Sequence, residues 1–223
     1  MRGSYNWFYD NIYSRCYDLL MKWCFLPLGG ESRARQALAS AAGVQRGGRV
    51  LDMCCGTGST TFAIAKEAGE GAEIKGVDRS SGQIRVARGR NRSPHIVFAV
   101  TDASATSFPE GEFDNVVIPH ALHEMPRDGR IAVLREARRV LRYGGTLAVM
   151  EMDTPSSWLW RLCIGFFWFY WLPFNFETTT RKDMLRHGLT EEVREAGFDS
   201  ICKIRMYRGA LQVVVAQRPN VDD

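Results

Sequence analysis

Three aspartates and a glycine turn carry the first chemical signal in this 223-residue chain. Val50-Leu51-Asp52-Met53-Cys54-Cys55-Gly56-Thr57-Gly58-Ser59 reads as a short apolar strand, a glycine turn and the start of a helix. Gly56 and Gly58 let the backbone approach a ligand closely and take φ values that other residues resist. Asp52 stands four residues before Gly56. It would repel a pyrophosphate at this turn, and Thr61 stands where a dinucleotide fingerprint has its third glycine. A ligand that carries an ammonium and a sulfonium suits the acid instead. Asp78 ends the next predicted strand, 20 residues after Gly58, where a carboxylate can accept both hydroxyl hydrogens of a ribose. The other reading of Asp78 is a helix N-cap, a role open to Ser80 or Ser81 as well. Asp102 ends the third predicted strand and either reaches the exocyclic amine of an adenine or caps its own loop. Acids at three successive strand ends suit S-adenosylmethionine (SAM), with S-adenosylhomocysteine as its product.

A second polar group follows the fourth predicted strand. His120, His123 and Glu124 fall together in Pro119-His120-Ala121-Leu122-His123-Glu124-Met125-Pro126, at the edge where α/β sheets bind ligands. The sulfonium of SAM makes its methyl group electrophilic. A protein that uses it must align a nucleophile with the S–CH₃ bond, exclude water and, where needed, remove a proton. His120 is the first candidate catalytic residue and Asp153, after the fifth strand, the second. His123 is a candidate for contact with the methyl acceptor, or else a capping or packing histidine. A metal site requires a third ligand beside the two histidines, and His95 and His187 are remote in sequence, so no metal is expected.

Two aromatic segments bear on the acceptor. Tyr5, Tyr9, Tyr13 and Tyr17 recur every four residues, along one slowly drifting helical face. They form either a core-packing stripe or a helix over a pocket, with Tyr9 and Tyr13 against the acceptor. The run Trp158-Leu-Trp-Arg-Leu-Cys-Ile-Gly-Phe-Phe-Trp-Phe-Tyr-Trp-Leu-Pro-Phe174 contains Arg161 and is at the short edge of what spans a bilayer. It reads as non-spanning. It is a lid over a greasy pocket, with Phe166, Phe167 and Trp168 on the acceptor, or an interfacial segment on a membrane, or a face buried in a homodimer. The first two readings imply a lipophilic acceptor.

The elements that position these residues are legible from periodicity. Predicted strands are Arg49–Cys54, Glu73–Asp78, Ile96–Val100, Phe113–Ile118 and Thr146–Met150. Predicted helices are Ser59–Glu67, Gly82–Arg90 and Arg130–Leu141. This alternation implies parallel βαβ units. Arg181–Ala196 reads as one helix, followed by strands Ser200–Tyr207 and Ala210–Gln217 joined by an Arg208-Gly209 hairpin turn. One domain over 1–223 is expected, with an N-terminal helical cap at 1–43 and the aromatic segment at 154–180. The net charge of +4 is too small to argue for polyanion binding. The arginines at 79, 85, 88, 90, 92, 127, 130, 135, 138, 139 and 142 read as solvated helix faces, and no nucleic-acid partner is expected. Six cysteines without a C-x-x-C pair and a start without an apolar signal region point to reduced thiols in a cytoplasmic protein, with peripheral membrane contact as a further reading.

These motifs resemble class I SAM-dependent methyltransferases, and more closely the ubiquinone/menaquinone biosynthesis C-methyltransferase family. The resemblance covers VLDMCCGTGS, GVDRS, VTDASATSFPEGEFDNVVIPHALHEMP, LREARRVLRYGGTLAVMEMD and LRHGLTEEVREAGF, together with Tyr9-Asp10 and Tyr17-Asp18. It implies a doubly wound α/β, Rossmann-like sheet of seven strands in the order 3-2-1-4-5-7-6, with strand 7 antiparallel. It implies that Asp52 and the turn Cys54, Gly56, Thr57, Gly58 hold the methionyl part of SAM, with Tyr17 also at the cofactor. Asp78 would take the ribose, Arg79 would flank the adenine, and Asp102 with Ala103 would meet its edge. His120 would line the junction of cofactor and acceptor. The implied reaction is C-methylation of a demethylmenaquinol-type quinol. A phospholipid or other small-molecule N-, O- or S-methyltransferase and a non-catalytic SAM-binding partner subunit are the rival readings. Cys54 stands at the family's usual first loop glycine, and Gln83-Ile84 replaces its usual Met-Leu pair.

Overall fold

The computed structural model describes residues 19, 22–23, 25, 30–162 and 178–220. Tyr9, Tyr13, Tyr17, Phe166, Phe167 and Trp168 lie outside the described residues, as does most of the aromatic segment. Seven strands form one sheet in the order β3-β2-β1-β4-β5-β7-β6. They are β1 Arg49–Met53, β2 Glu73–Asp78, β3 Ile96–Val100, β4 Phe113–Pro119, β5 Leu141–Met152, β6 Asp199–Met206 and β7 Leu211–Gln217. The first five pair in parallel, and β7 runs antiparallel to both β5 and β6. The central strands are apolar on both faces because helices cover both. Val116, Val117, Ile118, Leu147, Ala148 and Val149 are fully buried.

The helices are α1 Glu31–Ala41, α2 Ser59–Ala68, α3 Ser81–Arg90, α4 Arg127–Val140, α5 Thr178–His187 and α6 Leu189–Glu195. Helix α4 lays Ile131, Val133, Leu134, Ala137 and Val140 against the sheet, the apolar stripe of an amphipathic helix. Helix α1 lies within residues 1–43, of which 19, 22–23, 25 and 30–43 are described. It buries Ala34 and Leu38 and ties to α2 where Arg35 Nη1 donates to Thr60 Oγ1 at 2.6 Å.

Two expectations change. The helix expected over Arg181–Ala196 is two helices, α5 and α6, parted at Gly188 with φ +83°, a value that breaks helical continuity and favours glycine. Arg130 is not on a solvated face. It is fully buried, and Nε and Nη2 donate to Glu192 at 2.8 and 2.6 Å while Nη2 also reaches Asp183 at 2.8 Å. Its Nη1 donates to the Met125 carbonyl at 2.9 Å. One guanidinium therefore joins α4, α5 and α6 to the loop that carries the histidines. A buried cation is tolerated only when paired in this way.

Candidate functional site

The glycine turn sits where β1 hands over to α2, at the carboxyl edge of the sheet. Gly58 has φ +80°, and a Cβ there would come within 2.7 Å of the Phe98 ring. A Cβ at Gly76 would meet the same ring, also at 2.7 Å, and the Cys55 sulfur at 3.1 Å. Phe98 of β3 thus fills the space that two glycines leave open, and Phe62 meets it edge-on at 5.8 Å. Cys54, at the usual first glycine of the resembling family, has φ +60°. A side chain held in the left-handed region costs energy that the surrounding structure must supply.

The three acids at or near the ends of β1, β2 and β3 each have a distinct environment. Asp52 is fully buried, and its Oδ2 accepts from Thr61 Oγ1 at 2.6 Å. Its Oδ1 is buried and has no hydrogen-bond partner among the described residues. Burial raises the Asp52 pKa to about 7, against the lowering effect of the Thr61 bond and of Arg35. Asp78 accepts from Gly56 N at 2.9 Å and from Ser80 N at 2.8 Å, so it pins the turn. The helix cap is Ser80, whose Oγ accepts from Gln83 N at 3.2 Å. Asp102 accepts from both Ser104 N and Ser104 Oγ, which lowers its pKa. It caps its loop in this way while its side chain stays at the surface. Arg79 is exposed, Ala103 is buried, and Thr57 is buried in the turn with its carbonyl facing Arg90.

Cys54 senses the field of this corner. Burial pushes its thiol well above the usual range, and Asp78, Glu124, Asp52 and Asp102 push it further in the same direction. Four carboxylates therefore act on one turn. Such a corner repels phosphate and attracts cations. The Cys54 thiol stays protonated and is a poor nucleophile.

The second cluster forms beside the first. His120 follows β4 with φ +57°, and its backbone N–H is held by the Met150 carbonyl at 2.8 Å. His123 lies in a one-turn 3₁₀ helix, Leu122–Glu124. Between them stands Glu151 of β5, which sequence reading missed. Glu151 is fully buried and accepts from Leu122 N at 2.6 Å and His123 N at 3.4 Å. Its Oε2 lies 2.8 Å from His123 Nδ1 and 3.8 Å from His120 Nδ1. Burial works against its charge, but His123, His120 and the amide donors outweigh it and lower its pKa to about 2. Burial and His123 depress His120 to about 3, so it is neutral at physiological pH. The His120 ring meets Phe25 edge-on at 5.8 Å and His123 at 4.6 Å. Strand alternation gave a signal: Leu147 and Val149 are core positions, and Glu151 continues their face.

Asp153 is not part of this convergence. It pairs with Lys203 at 2.8 Å and Arg205 at 3.8 Å, and caps Thr154 N at 2.8 Å. Those contacts tie the end of β5 to the hairpin rather than to the histidines.

A family model of the methyltransferase domain matches residues 50–145. An uncharacterized methyltransferase of Synechocystis sp. is 31% identical over 216 residues, which cover 95% of this chain and 94% of that protein. A demethylmenaquinone methyltransferase of Beutenbergia cavernae is 35% identical over 159 residues, 71% of this chain and 62% of that protein. The chain thus aligns with under two thirds of that quinone relative. Among solved structures, the [4+2]-cyclase SpnF superposes with a TM-score of 0.70 at 19% identity over 94% of this chain and 95% of that one. That likeness shows the fold and leaves the reaction open. The full-length similarity to a methyltransferase goes further: the chain belongs to the class I SAM-dependent methyltransferase family.

Proposed function

We propose that the protein transfers a methyl group from SAM to a small lipophilic acceptor, with a ring carbon of a demethylmenaquinol-type quinol as the preferred target. The observation that carries this reading is the meeting of a carboxylate-lined turn with a buried histidine cluster on adjacent strands β1, β4 and β5. The residues present fit SAM. The unpaired buried oxygen of Asp52 suits a cationic head group, and the turn at Cys54, Gly56, Thr57 and Gly58 brings backbone to the same place. Asp78 takes the ribose hydroxyls, while Arg79, Asp102 and Ala103 border the adenine. SAM supplies an electrophilic methyl group on a sulfonium.

His120 and the Glu151–His123 pair form the polar focus on the acceptor side. Their task is to hold an acceptor oxygen and favour loss of its proton, which raises electron density at the ortho ring carbon. The Phe25 ring against His120 gives the same place an apolar wall. The quinone relative supports the choice of acceptor. Leu19, Trp23, Trp158, Leu159 and Leu162 are each more than half exposed, which supports peripheral contact with a membrane that dissolves the acceptor. No helix among the described residues is long and apolar enough to cross one.

The test is turnover of methyl-labelled SAM with a total membrane-lipid extract under reducing conditions, with the product identified by mass spectrometry. Label in a methylated quinone supports the reading. Label only in a phospholipid or a water-soluble amine replaces the acceptor.

A further inference from the structure

Two histidines three residues apart lack a third donor in the sequence, and the fold supplies it. Glu151, from a strand remote in sequence, comes to 2.8 Å from His123 Nδ1 and 3.8 Å from His120 Nδ1. One donor atom from each of the three residues lies within 4.8 Å of the others. We infer that His120, His123 and Glu151 form a binding site for one divalent first-row transition-metal ion beside the cofactor turn. The site itself stands on geometry. Only the role given to the ion rests on the acceptor reading above.

Spacing, charge and donor type point the same way. An ion with bonds of about 2.1 Å needs donors about 3.0 Å apart in octahedral and about 3.4 Å apart in tetrahedral geometry. The two distances from Glu151, 2.8 and 3.8 Å, lie on either side, and with all three donor atoms inside 4.8 Å of one another the rings need only draw inward to close around an ion. Glu151 is buried, yet among the described residues no lysine or arginine pairs with it. Its neighbours are the backbone N–H groups of Leu122, His123 and Met152 and one imidazole. A buried carboxylate that lacks a fixed countercharge gains most from a cation. His120 Nδ1 is buried and has no hydrogen-bond partner among the described residues. Two imidazoles and one carboxylate suit zinc, iron, cobalt or nickel better than magnesium or calcium. Three protein donors are also the number found where a coordination position stays open for chemistry. An acceptor hydroxyl that takes that position gives its proton to water and binds as the more nucleophilic oxyanion.

The test is titration of the full chain, stripped by a chelator, with Co²⁺ alone. Visible absorption and metal analysis after dialysis are the readouts. One Co²⁺ per chain with ligand-field bands, displaced by Zn²⁺, is the expected result. His120→Ala and Glu151→Gln should each weaken Co²⁺ binding by at least about tenfold, in line with the sensitivity of metal sites to their supporting groups. Unchanged circular dichroism would show that they are folded, and His95→Ala should leave Co²⁺ binding intact. No Co²⁺ binding at millimolar concentration, in protein that still binds SAM, overturns the inference and leaves a hydrogen-bonded Glu–His pair in its place. Co²⁺ binding that survives both substitutions overturns it too, by placing the ion elsewhere. Failure of the acceptor reading is distinct: metal binds, and no lipid is methylated.

Discussion

Replacing Asp52 with Asn separates folding from the proposed function of the turn between β1 and α2. Asp52 is fully buried, with one oxygen on Thr61 and the other unpaired among the described residues. Its pKa is about 7 in the fold against an ordinary 3.8. Because the folded value is the higher, its contribution to stability is complete below pH 3.8 and is lost as pH rises through about 7. The whole span amounts to roughly 4 kcal/mol, and about 2.5 kcal/mol of it falls between about pH 5 and about pH 8. Asn keeps an oxygen for Thr61 and carries no charge, though its amide group adds a buried donor that costs about 1–3 kcal/mol if unpaired. That cost is independent of pH. Asp52→Asn should therefore gain about 2.5 kcal/mol more, relative to wild type, at about pH 8 than at about pH 5. For a chain of this size that is a difference of about 5–10 °C in midpoint. Thermal unfolding without ligand at the two pH values reads it directly. The same variant should bind SAM more weakly, the usual cost of relieving strain at a functional site. An equal midpoint change at both pH values, or unchanged SAM affinity, would refute the argument.

Other substitutions test separate links. Asp78→Ala should weaken SAM binding by roughly 1.5–3 kcal/mol, the range for hydrogen bonds to charged groups, measured by calorimetry; wild-type affinity would remove the ribose assignment. Arg130→Ala should destabilise the fold by about 3–5 kcal/mol because Glu192 is left buried and unpaired, whereas exposed Arg135→Ala should stay within about 0.5 kcal/mol by denaturant titration. Gly58→Ala should cost at least about 1–3 kcal/mol, since it adds a Cβ at φ +80° against Phe98. Changing Trp158, Leu159 and Leu162 together to Ser should reduce sedimentation with anionic liposomes without lowering SAM affinity. Equal sedimentation would remove those residues from the membrane contact.

Much of the sheet was legible because its signals are local. Short apolar runs leading to Asp52, Asp78 and Asp102 mark parallel strands, mostly buried in β1 and β2 and partly exposed in the edge strand β3, whose carboxyl ends carry polar groups. The boundaries that moved did so for specific reasons. The Gly144-Gly145 pair reads as a turn before a strand, yet β5 runs through it from Leu141, with a register shift opposite Phe113 and Asn115. Glycine pairs mark bulges as well as turns. Helix α4 starts at Arg127, after Pro126, because a proline just ahead of a helix is compatible with its first turn. The acidic corner was readable since its carboxylates fall at regular strand ends. The histidine corner was only half readable. His120 and His123 share one loop, but Glu151 reaches them through strand pairing between β4 and β5, which no local pattern encodes. The buried role of Arg130 depends likewise on α5 and α6 folding back over α4.

What the turn between β1 and α2 binds decides the function of this fold. Calorimetric titration of the purified chain with SAM, S-adenosylhomocysteine and NAD measures it. Binding of the first two and no detectable binding of NAD is the predicted outcome, because Asp52 and its neighbouring carboxylates favour a cation and oppose a pyrophosphate. Heat protection by NAD with none by SAM would contradict the carboxylate argument and, with it, the assignment of every residue placed around the cofactor.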